Sequence, residues 1–146
     1  MSINLRERAI AITQHLNTFN IEAIRGLLSD SSDFHFRFGP ESALQALGKP
    51  GGFNKEEVLE FFGNHRKIVK HFNFLEPDFV VEGDGCVAYH TRSDGVSVDD
   101  QPFRNEYSWF VKFDDDGRIL QVIEMVDSAY ISQVVPRVGY VSKYLE

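Results

Sequence analysis

A single cysteine, Cys86, leaves a chain of 146 residues without a partner for an intramolecular disulfide, and no Cys or His cluster has zinc-ligand spacing. Packing alone must hold the fold. Basic residues are also scarce: 15 Lys and Arg stand against 22 Asp and Glu, a net charge of −7 that argues against a nucleic-acid partner. No apolar run reaches membrane-spanning length, and Arg6, Glu7 and Arg8 interrupt the stretch where a signal peptide would be apolar. No membrane partner is expected, and the expected compartment is the cytoplasm. A glycine-rich phosphate loop, a Gly-x-Ser-x-Gly elbow and a metal-ligand pair at helical spacing are all missing, so nucleotide chemistry, serine hydrolysis and metallohydrolysis lack support. What the chain has in excess is Phe, 13 residues against five Tyr and one Trp, which gives the interior much ring surface without a polar handle. Its length and ordinary balance of charged and apolar residues suit one domain over 1–146.

Leu5, Ala9, Ile12 and Leu16 fall at the spacing of an amphipathic helix, and a second short helix is expected from Ile21 to Leu28 with Asn20 as its cap. Phe34 to Phe38 alternates strictly, a strand with Phe34, Phe36 and Phe38 on one face and His35 and Arg37 on the other. A loop bearing Gly and Pro covers Gly48 to Gly52. Asn54 and Glu57 form the two ends of a capping box opening a long helix, whose stripe is Val58, Phe61, Phe62, Ile68, Val69 and Phe72 with His65 in its midst. Strands are then expected at about Phe74 to Glu82, Cys86 to Ser93, Phe103 to Phe113 and Ile119 to Val126, with a polar loop from Asp94 to Gln101, in an antiparallel meander. A short helix from Ser128, broken at Pro136, precedes an apolar tail with Val138, Tyr140, Val141, Tyr144 and Leu145, expected to pack on the domain or on a second copy. The fold class is α+β: a curved antiparallel sheet wrapped around a long helix, with N-terminal helices, forming a cone that can hold a small molecule.

Asn105 to Phe113, the turn Asp114 to Gly117 with Arg118 and Ile119, and Val122 to Asp127 resemble the last hairpin of the SnoaL-like polyketide cyclases, within the nuclear transport factor 2-like superfamily. Glu82-Gly83-Asp84 and the helix opened at Asn54 fit the same pattern. The aromatic Asn105-Glu106-Tyr107-Ser108-Trp109 strand is most similar to small fungal cyclases and isomerases of natural-product pathways. The resemblance implies a carboxylate acting as acid and base seven residues after the turn glycine, and counting from Gly117 lands on Glu124. There the family's usual His-Trp-Asp is replaced by Val122-Ile123-Glu124.

Glu124 sits on a strand apolar on both faces, where low dielectric raises a carboxyl toward the range useful for proton transfer; the other reading is a structural ion pair with a neighbouring cation. Asn105, Tyr107, Trp109, Val111 and Phe113 share the face expected to meet the cavity. Tyr107 is a candidate donor to a developing oxyanion or else a core ring, and Trp109 reads as a packing wall. His65 is either a core histidine bonded to a carbonyl or a partner of Glu124. Arg37 is a candidate cation for a substrate oxygen if the polar face of its strand turns inward, and the resemblance adds weight to it. His90, Asn105, Phe61 and Phe36 complete the expected lining with Trp109, while Asp127 reads as an N-cap. The expected protein is an isomerase or cyclase without cofactor, working by acid and base on a hydrophobic polyketide-, terpenoid- or alkaloid-type molecule. The alternatives are an epoxide hydrolase or dehydratase on the same cone, and a binding or dimerisation module whose cone is filled by its own Phe rings. The superfamily's habit of pairing and the apolar tail imply a homodimer.

Overall fold

The computed structural model describes residues 2–40 and 52–145. The expected loop at Gly48 to Gly52 falls, apart from Gly52, outside the described residues. Helix α1 spans Leu5–Asn17 and buries Ala9, Ile12 and Leu16; the Asn4 side chain caps it by accepting from the Glu7 N–H at 3.1 Å. Helix α2, Ile21–Leu27, is capped in the same way by Asn20, which accepts from the Ala23 N–H at 3.2 Å. Helix α3, Lys55–Asn64, opens with the capping box read from the sequence, Asn54 and Glu57 each satisfying the other's backbone N–H.

Beyond Asn64 the expected long helix does not continue. The chain tightens into a 3₁₀ turn at His65–Lys67 and enters a short strand, β2, at Val69–His71. Strand β1 is His35–Gly39, followed after β2 by β3 at Phe79–Gly83, β4 at Cys86–Ser97, β5 at Pro102–Phe113 and β6 at Ile119–Val126. Strand β4 therefore runs four residues into the segment read as a polar loop. Gly95 is what permits this: a β-carbon there would collide with the His71 carbonyl and lie 3.2 Å from the Phe72 Cα, so only glycine lets β2 press so closely on β4.

The sheet order is β1-β6-β5-β4-β2, with β3 pairing β4 further along the same edge. It is mixed rather than a pure meander, because β1 runs parallel to β6 and places Phe38 opposite Glu124. The β5–β6 hairpin is set by Asp114, whose carboxylate accepts from the N–H groups of Asp116 and Arg118 at 3.0 and 2.9 Å while Gly117 adopts φ +74°. Among the described residues, the sheet curls into a half-barrel with four helices. Helix α1 packs inside it, where Tyr89 of β4 donates its hydroxyl to the Ala9 carbonyl at 3.0 Å.

Rings fill the closed end. Phe36 lies 5.3 Å from Phe62, 6.2 Å from Phe53 and 6.2 Å from Trp109, and Trp109 stacks on Tyr89 with planes 3° apart. Each such pair adds about 0.5–1.5 kcal/mol beyond the burial itself. At the other end, helix α4, Ser128–Arg137, is capped by Asp127 as expected and retains Pro136 in its last turn. Tyr130 clips it to the sheet edge, accepting from the Arg104 N–H at 3.0 Å and donating to the Pro102 carbonyl at 3.1 Å. In the tail, Val138, Tyr140 and Tyr144 pack against this same core, whereas Val141 is exposed.

Candidate active site

A cavity opens between the inner faces of β5 and β6, the 3₁₀ turn, and helices α1 and α4. Most of its wall is apolar, from Leu16, Phe38, Phe62, Phe72, Phe74 and Phe103; four polar groups enter it, from His65, Asn105, Tyr107 and Glu124. The cavity is small, about 20 Å³. That is room for a water molecule, and a larger guest requires rings to swing aside.

Glu124 reaches the cavity because β6 alternates: Val122 and Glu124 face inward, while Gln121 faces solvent. The residue is 4% exposed. Burial pushes its pKa up to about 8, and no neighbouring charge or hydrogen bond offsets that effect. At neutral pH the side chain is therefore mostly the protonated acid, held beside apolar rings. The ion-pair reading does not describe it.

His65 enters from the 3₁₀ turn. Its Nδ1 lies 2.8 Å from the Phe61 carbonyl, which fixes that nitrogen as the protonated donor and leaves Nε2 as an acceptor. Phe61, Phe62 and Phe72 surround the ring, at 4.6 Å for Phe61, and burial lowers its pKa to about 4 despite the Phe61 hydrogen bond. The first sequence reading of this residue holds, since the ring is bonded to a carbonyl, and the ring also borders the cavity that Glu124 enters. At neutral pH the site accordingly contains a neutral acid and a neutral imidazole.

Tyr107 and Asn105 project inward from β5, two residues apart on one face. The Tyr107 hydroxyl lies 2.9 Å from Ser93 Oγ, and Ser93 Oγ also accepts from the Asn105 N–H at 3.3 Å. Burial raises the Tyr107 pKa far above its usual value, the Ser93 hydrogen bond pulls it back, and the Glu124 carboxylate raises it further. The Asn105 side chain is buried, and its Nδ2 has no hydrogen-bond partner.

The remaining expected lining lies elsewhere. Arg37 is exposed: the Phe face of β1 turns inward because three rings belong in the core, which sends His35 and Arg37 to the outer side. His90 is also on the outer face of the sheet, its Nδ1 2.7 Å from Asp78 Oδ1 and its Nε2 3.6 Å from Glu106 Oε2. The His–Asp pair of a dehydratase-like arrangement is thus formed outside the cavity. Phe36, Phe61 and Trp109 face inward but sit in the ring cluster behind the cavity, so they support its wall without lining it. Sequence reading passed over Ser93, which it placed at a strand end, over Phe38, and over Phe72 and Phe74, whose part depended on the chain path around Gly95. Among the described residues no three His, Cys, Asp or Glu side chains gather as metal ligands, and no helix is long and apolar enough to cross a membrane.

No protein-family model matches this sequence, and no curated protein does. Solved structures do match the fold. An NTF2-like protein of unknown function from Burkholderia pseudomallei superposes with a TM-score of 0.74 at 13% identity, over 92% of this chain and 98% of that one. The BvnE pinacolase from Penicillium brevicompactum gives 0.68 at 22% identity, over 95% and 97%. A SnoaL-like polyketide cyclase from Agrobacterium tumefaciens gives 0.65 at 14%, over 90% and 98%. The protein has the nuclear transport factor 2-like cone that its last hairpin resembles.

Proposed function

We propose that the protein is an isomerase or cyclase that needs no cofactor, acting on a hydrophobic, oxygen-bearing small molecule of the polyketide, terpenoid or alkaloid type. One observation carries this reading: the Glu124 carboxyl is buried at an apolar cavity with nothing to compensate it, an arrangement costly for folding and useful for moving protons. Glu124 gives its proton to a substrate oxygen, and the carboxylate so formed takes a proton back from the rearranged skeleton. The product has the substrate's mass. Tyr107 stabilises charge on oxygen during the step, and His65 Nε2 accepts a hydrogen bond from a hydroxyl on the guest. A pinacolase and a polyketide cyclase built on this fold support the reaction class.

The narrowness of the cavity favours a second reading, a cone filled by its own rings that serves as an interaction module. The two readings part in one experiment. Purified protein is incubated with a panel of epoxy, keto and hydroxy terpenoids and polyketides, and chiral chromatography with mass detection is used to look for products of unchanged mass. A product that vanishes with Glu124→Gln supports the enzyme; full activity in Glu124→Gln removes Glu124 from the mechanism, and absence of any bound guest favours the module.

A further inference from the structure

Asn105 is unusual among the buried polar groups. Its Oδ1 accepts from the Glu106 N–H at 2.9 Å. Because a backbone N–H can only donate, this bond settles which end of the amide is oxygen and aims the NH₂ group elsewhere. That NH₂ is buried, without a partner, on a residue that lines the cavity. Leaving a buried donor unmet costs free energy that a bound acceptor would restore.

The neighbouring Tyr107 hydroxyl points the same way. Asn105 is the last among the groups that act on Tyr107, through a side-chain hydrogen bond that eases ionisation of the hydroxyl but is too weak in geometry to satisfy the amide, so the NH₂ borders that oxygen with its donors still unmet. Ser93 Oγ receives the Asn105 N–H and lies against the Tyr107 hydroxyl. When Ser93 donates its own proton to Tyr107, the phenolic proton is left for a guest. Two donors from one strand face, both held by one serine, then border the same cavity. Among the described residues of the wall there is no Lys or Arg to neutralise an anion, and the carboxyl of Glu124 shares the space.

We propose that Asn105 Nδ2 and the Tyr107 hydroxyl form a two-donor site for one uncharged carbonyl oxygen of the guest, and that this site selects ketones over hydrocarbons and carboxylates. Ser93 is the positioning residue for both donors. The proposal rests on the reading that the cavity receives a small molecule, and it adds the functional group by which that molecule is held.

Tetralone, the hydrocarbon tetralin and naphthoate test it, with binding followed by calorimetry and the ketone C=O stretch by infrared spectroscopy on carbon-labelled tetralone. Tetralone is expected to bind about tenfold more tightly than tetralin, a preference of the size that one or two net hydrogen bonds supply, and naphthoate not to bind. The C=O stretch of the bound ketone moves to lower frequency. Asn105→Leu and Tyr107→Phe, each checked for cooperative melting, bring the ketone's affinity toward tetralin's and diminish the shift, while Phe110→Ala on the outer face retains both; if Asn105→Leu fails to fold, Tyr107→Phe with Ser93→Ala decides. Equal binding of tetralone and tetralin with no shift overturns the two-donor site and leaves the cavity reading standing. A shift lost in Glu124→Gln but kept in Asn105→Leu also overturns it, by placing the oxygen on Glu124. If none of the three probes binds, this inference falls together with the small-molecule reading beneath it.

Discussion

The two sides of the sheet each hold a carboxyl and an imidazole, and the contrast between them is instructive. Outside, His90 sits between Asp78 and Glu106, and the histidine holds the Asp78 carboxyl below its usual range; all three are solvated. Inside, Glu124 and His65 are driven in opposite directions by burial, Glu124 up to about 8 and His65 down to about 4. The outer set has direct contacts between imidazole and carboxylates and the more familiar pattern, yet it is an ordinary surface arrangement of little energetic weight. What marks the inner set is the lack of compensation. A cavity that keeps an acid protonated and a base neutral at the same pH is equipped for proton transfer.

The contrast breaks first at the rate. Glu124→Gln should lower turnover by about 10²–10⁴-fold, the usual contribution of a positioned acid or base, while Glu106→Gln on the outer face should leave it unchanged. A loss shared by both variants would mean that the two faces are not distinct. Packing gives the next largest effect: Phe62→Ala, in the inner ring cluster, should cost about 3–5 kcal/mol in denaturant unfolding, and Phe110→Ala, 48% exposed on the outer face, about 0.5 kcal/mol or less.

The pH dependence of stability sharpens the comparison. The native protein holds the Glu124 proton more tightly than the unfolded chain does, so the stability tied to it is complete below pH 4.5 and is lost as the pH rises through about 8. Glu124→Gln should therefore melt close to wild type in mild acid and above it in alkali, by a gap on the order of 4 kcal/mol. His65 has the opposite sign: its contribution is complete above pH 6.5 and is lost as the pH falls through about 4, so His65→Leu should blunt acid unfolding. Thermal melts across pH check both. The smallest effect belongs to the outer set, where His90→Ala should move the melting temperature by about 2 °C or less.

Much of this was legible in the sequence because it depends on local rules. The Asn54–Glu57 box, the Asn20 and Asp127 caps, the limits of β6 and the inward row Asn105, Tyr107 and Trp109 all follow from spacing. The same rules misled at residues 65–72, where Ile68, Val69 and Phe72 fit a helical stripe but belong to a turn and an edge strand; the contact that decides it, Gly95 against His71, joins residues far apart in sequence. Alternation correctly separated Arg37 from the Phe rings, yet it gives parity and not side. Burial of the rings chose the side. The counting rule reached Glu124, but the narrowness of the cavity arises from side chains of seven separate elements.

Asn17, at the end of α1, donates its amide to the Phe74 carbonyl at 3.4 Å and accepts from the Phe74 N–H at 2.7 Å. A side chain thereby supplies both backbone bonds that a neighbouring strand would have made. In hydrogen–deuterium exchange, the Phe74 amide, though outside every strand, should be protected like a ladder amide, and Asn17→Ala should release it. A ring of the cavity wall is thus tied to the first helix, and the slow exchange of one amide reports how often that attachment opens.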